Sequence, residues 1–391
     1  MAFNFDEQLP TSGTNSIKWD QYGDPDVIGM GNADMDFKSA DCIVEALIAA
    51  ARKGVYSYHY KTDSYYESII KWYRRWHDWE IKREWLSNSP GIWGAFRICL
   101  SVFCKPGDRV IVQTPHFHPI VPIVANAGCH LVTNPMLLEN NVYRVNLDDF
   151  EQKVAETRPM AFFLVNPHNP TGHVLSLEEL VGLAGVCKKY NVLIISDEVH
   201  SNVLYDGRVH YPIASISSDA RMNTIIITGA SKGYNLMDLT YCILVIPDLE
   251  THRLYEEAMT AFNFNFATNL FGAVGTEAAF SEAADSWKRE LNAYLQANLD
   301  YLSEYIEKYI PRIKVIRPGG SYLVWLDCRG LGMSPAEMRT LFLEKAKVGL
   351  TFGETYGIAG EGFERINIGC TRKTLEKGLY RIKNAVDTIS C

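Results

Sequence analysis

TIIITGASKGYN, Thr224 to Asn235, sets five β-prone residues ahead of a turn of small ones and places one amine, Lys232, at its far side. A solvated surface lysine needs no buried strand behind it. Two other stretches follow the same plan. AFFLVNPHNPTG, Ala161 to Gly172, ends in Asn166, Asn169 and a Pro-Thr-Gly turn, and VLIISDEVH, Val192 to His200, ends in Asp197, Glu198 and His200. RVIVQTP and CILVI add further apolar runs, and helical segments such as SLEELVGLAGVCKKY lie between several of them. Continuous Val/Ile/Leu runs alternating with helices predict an α/β chain whose mostly parallel sheet is covered on both faces. In such sheets ligands bind beyond the carboxyl ends of the strands. GIWGAFRICL adds small residues at a helix start, where unpaired N–H groups can hold a phosphate.

Outside this region the pattern changes. DCIVEALIAAARKG and DSYYESIIKWYRRWHDW have helical periodicity. After about Phe280 come a long polar helix, the run IKVIRPGGSYLVWLD and a closing helix, which predict a second, smaller α+β unit. The N-terminal residues lack the rhythm of the main sheet and are expected to complete that unit. The expected division is a large domain over residues 46–282 and a small one from 1–45 and 283–391.

Composition removes several function classes. The chain has 391 residues, 47% hydrophobic, and a formal charge of −8 without a basic stripe, which argues against a nucleic-acid partner. No apolar run approaches the roughly 18 residues of a spanning helix, and the first residues, MAFNFDEQLPTSGTNS, lack the pattern of a signal peptide. No membrane association is expected. Nine cysteines occur singly without CxxC pairs, which suits a reducing cytoplasm. GMGNAD, Gly29 to Asp34, lacks the third glycine of a dinucleotide fingerprint. His116 and His118 are too few ligands for a metal, so none is expected.

Each strand-end motif has an ordinary structural reading: Asn-Pro-Thr-Gly is a good turn anywhere, and an aspartate can cap a helix. Their order and spacing together resemble the fold-type I enzymes that use pyridoxal 5′-phosphate (PLP), over nearly the whole chain. The matches are the asparagine turn, Asp-Glu about thirty residues on, Ser-Lys about thirty-five further, and an arginine near the C-terminus. The resemblance implies the PLP-dependent transferase fold, with a seven-stranded-type sheet in the large domain. Lys232 matches the lysine that carries the cofactor, and Asp197 the carboxylate that keeps its ring nitrogen protonated. Asn169 matches the partner of the ring hydroxyl and Phe117 the ring stacked on the pyridine. The phosphate would sit near Gly94, Ala95 and Ser231, and Arg365 would grip the α-carboxylate of an amino-acid substrate.

Within the fold the chain looks most like the cystathionine β-lyase group of the aminotransferase class I/II enzymes. NADMDF (Asn32–Phe37), DSYYESIIKW and YGIAGEGFERINIGC carry this closer likeness. The first implies a loop over the active site that brings Asp34 and Met35 to the substrate. Many aminotransferases have an arginine eight residues after the lysine and a tyrosine three after the ring-binding aspartate. Here Thr240 and His200 stand there, as is familiar in the lyase group. Tyr58 matches a tyrosine that reaches the neighbouring subunit's phosphate, which implies a homodimer with shared sites. Gly31 and Phe117 depart from the group's usual tryptophan and tyrosine and leave the leaving-group specificity open. The expected reaction is α,β-elimination of L-cystathionine or L-cysteine-type substrates to pyruvate, ammonia and a thiol. An aminotransferase on the same scaffold, or a PLP-binding regulatory protein, are the alternatives.

Overall fold

The computed structural model describes residues 3–264 and 269–389. After a single helical turn at Ile17–Asp20 come two longer helices, α1 (Asp41–Arg52) and α2 (Asp63–His77). Strand β1 (Leu86–Ser89) and helix α3 (Ile92–Phe103) follow, then β2 (Arg109–Thr114), β3 (His130–Pro135) and β4 (Ala161–Val165). Helix α4 (Leu177–Tyr190), opened by a capping box between Ser176 and Glu179, leads to β5 (Leu193–Asp197), β6 (Thr224–Thr228) and β7 (Cys242–Val245).

These strands form one seven-stranded sheet in the order β1-β7-β6-β5-β4-β2-β3. Every pairing from β6 to β3 is parallel. Successive side chains of a strand point to opposite faces, and here both faces are dry. Phe163 and Val165 pack with Phe96 and Leu100 of α3, whereas Phe162 and Leu164 pack with Leu180 and Leu183 of α4. Double-sided burial is why these strands read as unbroken apolar runs.

β7 is the exception, antiparallel to both neighbours. A parallel return needs a crossover of a dozen or more residues, usually a helix. Between Thr228 and Cys242 the chain has only the single turn Met237–Leu239, so it doubles back. Because β1 is in turn antiparallel to β7, it runs parallel to β6. Its carboxyl end, and the N-terminus of α3 two residues beyond, therefore reach the same sheet edge as Asp197 and Lys232.

The second layer holds the 25-residue α5 (Asp285–Tyr309), strands β8 (Lys314–Ile316), β9 (Leu323–Asp327), β10 (Thr351–Phe352) and β11 (Phe363–Asn367), and the closing helix α6 (Arg372–Asp387). The strands form an antiparallel sheet, β8-β9-β11-β10, in which Arg365 sits between Trp325 and Thr351. Near the N-terminus, Ile28–Gly29 pairs in parallel with Val348–Gly349. The following segment then crosses to the end of β6, where Asn235 accepts a hydrogen bond from the Met35 amide at 2.9 Å and donates to the carbonyls of Met35 and Phe37. Among the described residues no helix is long and apolar enough to cross a membrane.

Candidate active site

The chain leaves β4 through a turn that Asn166 closes, its Oδ1 accepting from the Leu175 amide at 3.1 Å. Three residues on, Asn169 Oδ1 accepts from Arg365 Nη1 at 2.9 Å, linking the large sheet to the small one. Asp197 ends β5, with Oδ1 accepting from the Val199 amide at 3.1 Å. The β6 strand gives way to Ser231 and Lys232, and Lys232 Nζ donates to the Ala33 carbonyl at 3.1 Å. Gly233 allows this turn: a Cβ there would lie 2.3 Å from that of Asn202. Gly91, with φ +76°, turns the chain into α3. These pieces enclose a cavity of about 220 Å³, walled by Trp93, Phe117, Asn169, Asp197, His200 and Lys232, with Ser231 and Thr240 at its edge.

The ionisable groups of the site are buried, and burial dominates its electrostatics. Burial raises the Asp197 carboxyl to about 7, against the opposing pull of the Val199 amide and the Lys232 charge. It lowers the Lys232 amine to about 8, aided by the Arg365 charge and opposed by Asp34 and Asp197. Burial, with the charges of Lys232 and Arg365, holds His200 well below the usual imidazole range. Arg365 is also lowered by burial. Its Nη2 donates to the Gly31 carbonyl at 2.8 Å and to Thr351 Oγ1 at 3.2 Å, whereas Nε is buried without a partner among the described residues.

These shifts give a direct test on the ligand-free chain. Amine labelling read by peptide mass spectrometry should find Lys232 reactive with a midpoint near pH 8, because only the neutral amine attacks. An ordinary lysine has its midpoint near ~10.4. A Lys232 midpoint there would mean a solvated amine.

Phe117, Asn169, Asp197, His200, Ser231 and Lys232 line the cavity, Arg365 meets it through Asn169, and Gly94, Ala95, Met35 and Tyr58 lie off its wall. Helix α3 begins at Ile92, so Ile92 and Trp93 line the cavity, while the Ala95 amide is already bonded to the Gly91 carbonyl at 3.1 Å. Gly94 packs near Pro90 and Ser89. Ala95 is therefore too deep in the first turn to offer a free donor. Met35 is buried in the core against Gly369 rather than on the cavity wall, because the loop presents its backbone to Asn235. Tyr58 is 88% exposed on the segment between α1 and α2 and does not wall the cavity of its own chain.

Asp34 is half-buried, its carboxyl raised by burial, and it reaches Lys232 through charge rather than a hydrogen bond. Phe117 packs between Trp93 and Tyr356, with ring centroids at 5.3 and 6.3 Å. The sequence reading missed Ala33, whose carbonyl accepts from both Lys232 and Tyr322 (2.7 Å for the latter). A backbone carbonyl leaves no mark on residue type. It also missed Trp93, although that residue lies within the quoted GIWGAF start of α3.

The chain matches the family model described as aminotransferase class I and II over residues 25–382. Cystathionine beta-lyase PatB of Bacillus subtilis (strain 168) is 35% identical over 387 residues, covering 98% of this chain and 100% of that protein. A PLP-bound candidate aminotransferase of Clostridium difficile 630 superposes with a TM-score of 0.95 at 38% identity, over 98% of this chain and 100% of that one. The PLP-bound C-S lyase of Staphylococcus hominis does so with a TM-score of 0.92 at 27% identity, over 98% of each chain. With a model match across nearly its full length and a relative aligned end to end, the chain belongs to the aminotransferase class I and II family.

Proposed function

We propose that this chain is a PLP-dependent carbon–sulfur β-lyase. It would cleave L-cystathionine or L-cysteine-type amino acids by α,β-elimination, releasing pyruvate, ammonia and a thiol. The observation that carries the reading is a buried amine and a buried carboxyl on the wall of one small cavity, with a buried guanidinium bonded to Asn169 of the same wall. The relatives described as C–S lyases support the choice among reactions.

The residues fit the cofactor. Asp197 accepts one backbone hydrogen bond and has no cationic partner within ion-pair distance among the described residues. A protonated ring nitrogen is the partner such a carboxylate lacks. The N-terminus of α3 at Ile92 and Trp93, with Ser231, suits a phosphate, and Phe117 offers a face for a pyridine ring. Asn169 and His200 line the same cavity and would bond the ring oxygen. When bound, the cofactor supplies a carbonyl carbon for an amine to join and a ring that takes up the electron pair left at Cα.

The chain's own residues perform the rest. Lys232 would hold the cofactor and, as a free amine, would take the Cα proton on Nζ. An amine near 8 gives up and regains that proton more readily than an ordinary lysine. Asp197 keeps the ring nitrogen charged. Arg365 receives the α-carboxylate, and Asn169 and the Gly31 carbonyl keep its fork aligned.

We also propose a homodimer with shared sites, a cytoplasmic location, and division into a large domain at 46–282 and a small one at 1–45 and 283–391. The exposed run Tyr56, Tyr58 and Tyr60, at 62, 88 and 84%, supports burial against a second copy. The free state of the eight described cysteines supports a reducing compartment.

Arg365→Lys tests the substrate half of this account. It keeps the charge but loses the two-pronged geometry. We expect KM for L-cystathionine to rise by about 10-fold or more, the worth of one charged hydrogen bond, with kcat falling less. An unchanged KM would remove Arg365 from the carboxylate site. The second reading, an aminotransferase, is favoured by the likeness to the Clostridium difficile protein. It uses the same residues up to loss of the Cα proton.

A further inference from the structure

His200 lines the cavity, and one of its ring nitrogens meets a serine. Ser321 Oγ lies 3.0 Å from His200 Nδ1, although the two residues are 121 positions apart. The hydroxyl is buried and accepts the Leu323 amide at 3.3 Å. Its own proton has no other acceptor among the described residues. A buried hydroxyl that donates nothing is costly, so the proton goes to Nδ1. A neutral ring that accepts at Nδ1 must carry its proton on Nε2. Burial and the nearby charges of Lys232 and Arg365 keep the ring neutral. Nε2 has no partner among the described residues, and His200 walls the cavity, so the donor is free for a ligand.

The backbone gives a second, independent indication. Ser321 has φ +72°, in the left-handed region that side chains seldom adopt, and follows two glycines, Gly319 and Gly320. Its amide is tied to the Val203 carbonyl at 2.9 Å, three residues beyond His200. A third glycine would hold this turn without strain. A serine kept in a strained conformation points to a use for its hydroxyl.

We propose that Ser321 is a positioning residue whose hydroxyl fixes His200 in the tautomer that turns an Nε2–H donor into the cavity, toward an oxygen acceptor on the bound cofactor. The ligand named here rests on the PLP reading above; the tautomer does not. Ser321 thus selects a neutral donor on the cavity wall.

The test uses the full-length chain labelled with ¹⁵N-histidine, with His200 assigned by the signals lost in His200→Gln. Long-range proton–nitrogen spectra should show a pyridine-type Nδ1 and a pyrrole-type Nε2. Ser321→Gly, which also relieves the strained φ, and Ser321→Ala should both move the two shifts toward averaged values. Titration of PLP into the same cofactor-free proteins should give affinity about tenfold weaker in both variants, the worth of one hydrogen bond. A protonated Nδ1 in the unsubstituted chain, or unchanged shifts in Ser321→Gly, would overturn the proposal. So would PLP affinity in Ser321→Gly equal to or tighter than the parent's, because that result fits a purely structural turn. Absence of PLP binding by the parent chain would overturn the functional reading and the ligand named here, while the nitrogen shifts still decide the tautomer.

Discussion

Lys232→Ala is expected to lower turnover of L-cystathionine by about 10³-fold or more, the upper range for losing a positioned proton-transfer group, and to abolish the visible absorbance of the cofactor-loaded protein. On the proposed mechanism two functions vanish together: the attachment point of the cofactor and the base at Cα. The fold itself should survive. Lys232 Nζ makes one hydrogen bond, to the Ala33 carbonyl, and burial already lowers its affinity for a proton. Its removal therefore takes away a poorly solvated amine rather than a structural ion pair, and Ala33 keeps Tyr322 as a donor. Denaturant unfolding of the variant should lie within about 1 kcal/mol of the parent, the ordinary range for point substitutions. An inactive variant that also fails to fold would leave the loss of activity without a chemical meaning. A variant with full activity would end the mechanism.

Asp197→Asn is expected to lower kcat by about 10²–10⁴-fold, because an amide cannot keep the ring nitrogen protonated. The same substitution should stabilise the cofactor-free chain. In the fold the carboxyl is raised to about 7, so protonation is favoured by folding. Its contribution is fully present below the unfolded carboxylate value near ~3.9 and is lost as pH rises through about 7. Above that the fold must bury an anion, a penalty that asparagine does not carry. Urea unfolding should therefore find cofactor-free Asp197→Asn more stable than the parent by a few kcal/mol at about pH 8, with the gap closing toward about pH 4. Saturating PLP should narrow the gap at pH 8 if Asp197 meets a cation there. Equal stability at both pH values would mean that Asp197 is solvated and has no role at the ring. A site that costs stability when empty is expected where function, rather than packing, sets the residue type.

The parts of this molecule that were plain in its sequence are those where the physics acts through residue type. Strands 161–165, 193–197 and 224–228 are buried on both faces and had to be apolar throughout. Strand 130–135 lies at the sheet edge, mostly half-buried, and carries His130, Thr133 and Asn134, so no unbroken apolar run marked it. LSNS at 86–89 is a strand despite its polar residues, since Ser87 finds a partner in Glu256 on a helix over 160 positions away. At the site, Lys232, Asp197, Asn169 and Arg365 were legible because amine, carboxyl, amide and guanidinium are side-chain chemistry. The Ala33 carbonyl and the pairing of Ser321 with His200 were not, because one is backbone and the other depends on contact across 121 positions. The expected places of Ala95 and Met35 shifted for a similar reason. Which residues of a helix's first turn face the cavity, or whether a loop side chain turns into the core against Gly369, leaves the sequence pattern unchanged.

The most direct test of the account is to mix the PLP-loaded protein with L-cystathionine in the absence of any keto acid and follow pyruvate together with the visible spectrum. A β-lyase releases pyruvate continuously, over many turnovers, and the starting cofactor band returns when substrate is exhausted. A single turnover that bleaches the band, with recovery only on adding a keto acid, would contradict the lyase reading and establish amino transfer.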